Sequence, residues 1–140
     1  MSFREKSAWA MAAVLLVAGF WYFQRVIGLS GALGHVAPPN IRFVIGYVIL
    51  VVVASIFVNI IIASAAGKEA EAPADEREKA ILHKAGHWSG YMLAVGAVAG
   101  LWHFGWNNDG NLLFHIVFGS LMLSQIAEYA FQVFLFRRGV

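Results

Sequence analysis

WAMAAVLLVAGFWYF, residues 9–23, returns as GYMLAVGAVAGLWHF at residues 90–104, and the organisation of the chain is read from that return. Eight of the fifteen aligned positions are identical: Met11/Met92, Ala13/Ala94, Val14/Val95, Val17/Val98, Ala18/Ala99, Gly19/Gly100, Trp21/Trp102 and Phe23/Phe104. Ala, Val and Gly match by chance in an apolar chain; the shared Gly-x-Trp-x-Phe ending does not. The two stretches are taken as copies, and an internal repeat decides architecture before any local signal does.

Both copies lie inside apolar blocks. Residues 7–24, 41–66, 86–104 and 112–136 form four such blocks, each near the ~20 residues a helix needs to cross ~30 Å of hydrocarbon. Of the 140 residues, 60% are hydrophobic and 13% charged, against about 45–50% apolar in a soluble domain. Mean hydropathy is +0.69. The sequence predicts an all-α integral membrane protein. Arg4 and Lys6 before the first block resemble the start of a signal peptide, but the block recurs as an internal helix and is read as retained.

Two helices separate the copies, so both copies run the same way. The unit is a helical hairpin duplicated in parallel, with a pseudo-two-fold along the membrane normal, unlike the inverted repeats of many transporters. Residues 1–66 are the first transmembrane hairpin, 67–84 a charged linker and helix start, and 85–140 the second hairpin. The second members match through Asn40/Asn111, Phe43/Phe114 and Ile45/Ile116. The hairpins are expected to pack face to face as a four-helix bundle, using Gly86/Gly90, Gly96/Gly100 and Gly119 as small contact residues.

Turn and cap signals set the boundaries. Gln24 and Arg25 are expected to end the first helix, with 28–40 as a Gly- and Pro-containing loop. Asn40 is a plausible N-cap for the second helix. Asp75 with Glu78 three residues on reads as a capping box, and Asp75/Lys79 as an i,i+4 pair. Asn107, Asn108, Asp109 and Gly110 suit a tight turn between the third and fourth helices. Eight Lys and Arg flank the ends carrying the termini and the linker, and Arg25 and Arg42 the other side. The positive-inside rule then puts both termini in the cytoplasm of a bacterial inner membrane. The net charge of +2 is explained by that topology, and no nucleic-acid partner is inferred. The expected partners are the lipid bilayer and further membrane subunits or copies of the chain.

No catalytic signature occurs, and the absence of cysteine removes thiolate chemistry and iron–sulfur ligation. Three sets of residues carry potential chemistry. His103 and His115 flank the 106–110 turn at similar distance, and His35 lies on the same side; three imidazoles can bind a divalent metal and two can ligate a haem. The alternative is interfacial hydrogen bonding with no cofactor at all. Second, Glu128 is the one acidic residue inside an apolar block. With Asn59, Tyr91, Gln125 and Gln132 it forms an expected intramembrane polar cluster, read either as helix-joining hydrogen bonds or as a proton-coupling site of a small transporter. Third, His83 and His87 have i,i+4 spacing on one helical face, with no third ligand in sight.

Asp75-Glu-Arg-Glu78 ahead of a helix containing Gly90-Tyr-x-Leu93, together with the ending Ile126-Ala-Glu-Tyr-x-Phe-Gln-x-Phe-Leu-Phe-Arg-Arg-Gly139, resembles a family of predicted small bacterial inner-membrane proteins of unknown function. Its members look like four-helix proteins with a DER(D/E) run before the third helix and a Tyr-Arg-Arg-Gly-like terminus. The resemblance covers mainly the second half of the chain. It implies an inner-membrane location and carries no activity or cofactor; His87, His103 and His115 have no counterpart in its pattern. The sequence thus leads to a non-enzymatic membrane protein, a structural or accessory subunit or a homo-oligomer.

Overall fold

Short polar punctuation between long apolar runs dictates a chain of helices. The computed structural model describes residues 2–138; Gly139, which closes the terminal motif above, lies outside them. The elements are α1 (Phe3–Leu33), α2 (Ile41–Ala66), the single turn α3 (Lys68–Glu71), α4 (Glu76–Asn107) and α5 (Gly110–Arg138), with no strand among the described residues. Three of them, α1, α2 and α5, are long and apolar enough to cross a membrane. By the same measure α4 has the length but falls short in apolarity. Its first turns carry Glu76, Arg77, Glu78, Lys79 and Lys84, and its apolar stretch is diluted by glycines, His87 and His103.

Caps form where the sequence placed them. The Asn40 side chain accepts from Arg42 N at 3.0 Å. Asp75 Oδ1 accepts from Glu78 N at 2.7 Å, and Glu78 Oε2 accepts from Asp75 N at 3.4 Å, completing the capping box. Because the cap engages Asp75, Lys79 Nζ instead meets Glu76 Oε1 at 2.7 Å, and the expected Asp75/Lys79 pair is absent. Asp75→Ala is expected to lower stability by about 1 kcal/mol and Asp75→Asn by much less, as read from thermal unfolding of the detergent-purified protein.

The first helix outruns its expected end. It passes Gln24 and Arg25 and stops at Leu33, where Gly34, at φ 75°, donates its N–H to Ser30 O at 2.9 Å. Gly28 and Gly31 cost helix propensity, but unpaired backbone is costlier near hydrocarbon, so the helix continues to a left-handed glycine cap. Only residues 34–40 remain as loop.

Three seams join the long helices in the order α2–α1–α5–α4. At one end Arg4 of α1 meets Glu78 of α4, Glu5 meets Arg137 of α5, and Ser7 meets Asn59 of α2. At the other end Tyr22 meets His115 and Val36 meets Asn111. α1 and α4 therefore start at the same end, with α2 and α5 running back towards it. The two middle helices hold the core: Ala18, Tyr22 and Val26 of α1 and Met122 of α5, closed by Tyr47 of α2. α2 and α4 stand at the edges.

Glycine decides how close the seams come. A Cβ on Gly96 would collide with the Ser120 side chain, and one on Gly100 would lie 3.1 Å from Ile116 Cγ2; one on Gly119 would lie 2.9 Å from Phe23 Cζ. Gly19 of α1 and Gly100 of α4, equivalent in the repeat, both face α5. By contrast, a Cβ on Gly90 would meet nothing within 4 Å and one on Gly86 only the Glu128 carboxylate. The Gly86/Gly90 pair thus does not mediate the helix contact expected of it, because the α4–α5 seam tightens further along, around Gly96.

The charged end is clasped rather than merely solvated. Arg4 Nε donates to Glu78 Oε2 at 2.9 Å and Arg4 Nη2 to Ala72 O at 3.3 Å, while Arg77 Nη2 reaches Phe136 O at 3.3 Å. The Arg4 and Glu78 side chains are 30% and 19% exposed. Arg4→Ala is accordingly expected to cost about 1 kcal/mol, a loss that shrinks in high salt; an unchanged midpoint at low salt would contradict the clasp.

Candidate functional site

The most completely built polar site lies at the end opposite the termini, where α1, α5 and the 34–40 loop converge. His115 projects from the second turn of α5 and is buried. Its Nε2 stands 2.9 Å from Ala37 O and its Nδ1 3.3 Å from Tyr22 Oη. A carbonyl only accepts, so Nε2 carries the proton and donates to Ala37, leaving Nδ1 to accept from the Tyr22 hydroxyl. Both ring nitrogens are engaged in hydrogen bonds within the protein. Asn111 Nδ2 donates to Val36 O at 3.3 Å, and Ala37 N to Ser30 Oγ at 2.9 Å. Three bonds thus fix the 36–37 segment against α5 and α1, and the Tyr22 hydroxyl braces His115 from behind.

An aromatic shell surrounds the pair. Tyr22 meets Phe23, Tyr47 and Phe118 edge-on at centroid distances of 5.4, 6.2 and 5.0 Å, geometry that aromatic quadrupoles favour. On the other side of His115 a groove of about 620 Å³ runs between α1 and α5 past Leu16, Gly19, Phe23, Gly119 and Met122. Its walls are apolar, and the hydroxyl of Ser120 at its edge donates to Ile116 O. Chemically the site is a set of satisfied hydrogen bonds beside an apolar groove.

The other histidines are not brought to it. His35 is exposed and bonds only the adjacent Val36 O, at 3.0 Å. His103 is held by Asn107 of its own helix, Nδ2 to Nε2 at 2.9 Å; no hydrogen bond or ring contact joins it to His115. Among the described residues no three His, Cys, Asp or Glu side chains are placed to share a metal ion. The grouping of His35, His103 and His115 is therefore absent: His115 turns inward to Tyr22, while His103, on the edge helix α4, remains with its own last turn.

No family model, curated protein or solved structure matches this chain.

The polar residues at the opposite end also separate. Asn59 bonds Ser7 Oγ at 2.9 Å and Ser55 O at 2.8 Å, across the α1–α2 seam. Tyr91 is exposed and meets the His87 ring edge-on at 4.7 Å. Gln125 is exposed and Gln132 buried, although their i,i+7 spacing puts them on one side of α5. Glu128 is half-buried beside Gly86. The five-residue cluster thus resolves into an Asn59 site on one edge of the molecule and a Glu128 site on the other. Two partners escaped sequence reading: Ser7 for Asn59 and Tyr22 for His115. For the second a signal existed, since Tyr22 aligns with His103 when residues 9–23 are laid on 90–104.

Proposed function

We propose that this is a small non-enzymatic protein of the bacterial inner membrane, working as an accessory subunit or as a homo-oligomer. The observation that carries the reading is how bare the edge helices are. Of the apolar window of α2 only 6% is buried, against 39% for α1. Ile49, Ile56 and Phe57 on α2 and Val95, Leu101 and Trp102 on α4 are all exposed. Apolar surface on this scale belongs against lipid or against another helix.

The repeat supports the second use of that surface. In the first copy Trp21 lies over α2, where a Cβ on Gly46 would come within 2.8 Å of its ring. Its counterpart Trp102 is 70% exposed. α4 thus presents bare the face that α1 covers with a helix, and a helix from a second copy or another subunit fits there. In this reading the hairpins are duplicated units, α4 crosses the membrane with α5 shielding one side, and both termini are cytoplasmic.

Gentle extraction from the native membrane followed by native mass spectrometry tests this. Species at multiples of 15.3 kDa, or with a co-purifying chain, are expected, and the association should weaken in Trp102→Ala. A single-chain species in such extracts overturns it. A Soret band that is lost in His103→Ala would establish ligand binding in its place.

A further inference from the structure

Cations in this chain are placed over rings. Arg25 lies over Trp21, Lys84 over Trp88, Arg137 over Trp9 and Arg138 over Phe134, at 4.8–6.0 Å from the ring centroids. Arg4 and Arg77 are held at the charged end by Glu78 and by Phe136 O. Arg42 is the arginine left out. Its backbone N–H is taken by the Asn40 cap, but the residue is exposed and among the described residues its guanidinium has no partner. Trp102 and Trp106 are the tryptophans left out: both are exposed, their rings meet each other at 6.3 Å, and among the described residues no cation lies over either.

The unmatched cation and the unmatched rings stand on the two edge helices, α2 and α4, which share no seam. They nevertheless lie at nearly one depth. The three seams meet through Gly46 against Trp21, Gly119 against Phe23 and Gly96 against Ser120, so these residues form one layer across the molecule. From that layer toward the end opposite the termini, Arg42 stands four residues on along α2 and Trp102 six along α4, or ~6 Å and ~9 Å at the helical rise. The remaining difference is within the reach of an arginine stem.

We propose, on the reading above that the chain associates with itself, that α2 of one copy packs on the Trp102 face of α4 in a second copy, with Arg42 over the Trp102–Trp106 pair. Two copies inserted in the same orientation are related by a two-fold along the membrane normal, which keeps every residue at its own depth. A two-fold interface uses the same two surfaces twice, so both bare edges are covered in one closed dimer. Below Arg42 the contact is apolar: Ile45, Ile49 and Val52 of α2 share depth with Val98, Val95 and Tyr91 of α4, and all six are exposed in the single chain.

The chain contains no cysteine, so introduced thiols are the only ones present. Differently tagged Ile45→Cys and Val98→Cys chains are co-expressed and oxidised in native membranes. A disulfide-linked species of twice 15.3 kDa carrying both tags is expected. Phe57→Cys with Val98→Cys, ~20 Å apart in depth, should stay unlinked. In detergent, Arg42→Gln should weaken the dimer about five- to thirty-fold through the loss of two cation–ring contacts, with helical circular dichroism unchanged. Dimers in native mass spectra without the Ile45–Val98 link, or with equal linking at Phe57, overturn this pairing and leave self-association standing. An Arg42→Gln dimer as tight as the wild type overturns the cation contact. A single-chain species throughout, or a foreign chain in place of the second copy, overturns self-association itself.

Discussion

Gly96→Val should part α4 from α5. A Cβ alone at this position collides with the Ser120 side chain, and valine adds two methyl groups to that collision. In lipid no hydrophobic effect is available to press helices back together; the seam rests on close contact alone. Overpacking in a dense interior costs about 1–3 kcal/mol, and a branched residue in a backbone-close position belongs at the upper end, about 3 kcal/mol. The partner side chain supplies the control. Ser120→Gly removes the colliding atoms, so the double variant Gly96→Val/Ser120→Gly should recover part of the loss. A cycle measured by unfolding in mixed micelles reads the coupling directly. Additive effects would show that the α4–α5 seam is not held at Gly96. Gly90→Val is the comparison at an open position, where a Cβ meets nothing within 4 Å, and it should leave the midpoint nearly unchanged.

His115→Ala carries the second large effect. The substitution leaves the Tyr22 hydroxyl and the Ala37 carbonyl without the partners they now have, and opens a void beside the groove between α1 and α5. Each buried polar group left unsatisfied costs about 1–3 kcal/mol, so the total should reach about 3–5 kcal/mol with the lost packing included. Tyr22→Phe removes one donor and leaves Nδ1 alone, for about 1 kcal/mol. The readout particular to this arrangement is local. Amide exchange at Ala37, whose N–H donates to Ser30 Oγ, should accelerate in His115→Ala well before global unfolding, because the 36–37 segment loses one of its two ties to α5. Unaltered protection there would mean that the loop is held by Asn111 and Ser30 alone.

How legible was this in the sequence? The number of long helices, their order and most termini were, because they rest on local chemistry, whereas the single turn α3 was not. Asn40, Asp75 with Glu78, and the Asn107–Gly110 turn act within four residues of themselves, and the structure places the caps where those residues stand. The end of α1 was misread because Gly28 and Gly31 signal a break in water, whereas the helix runs on to Gly34. The glycines show a different limit. Gly86/Gly90 and Gly96/Gly100 have the same spacing, yet only the second pair is in a seam, since spacing does not reveal where two helices come closest. The sites were least legible of all. That His115 and Asn59 are polar residues in apolar blocks is plain, but their partners Tyr22 and Ser7 lie 93 and 52 residues away. Which helices become neighbours decides such pairs, and periodicity does not encode it.

The order of the seams carries a consequence for how the protein is made. Its core lies between α1 and α5, and the bond from Tyr22 to His115 spans 93 positions. As the chain emerges in order, Tyr22 gains Tyr47 of α2 first and lacks His115, Phe118 and Met122 until α5 follows. Biogenesis therefore has a late commitment step. During that interval the side of α1 that carries Ala18 and Tyr22 is open where α5 will cover it.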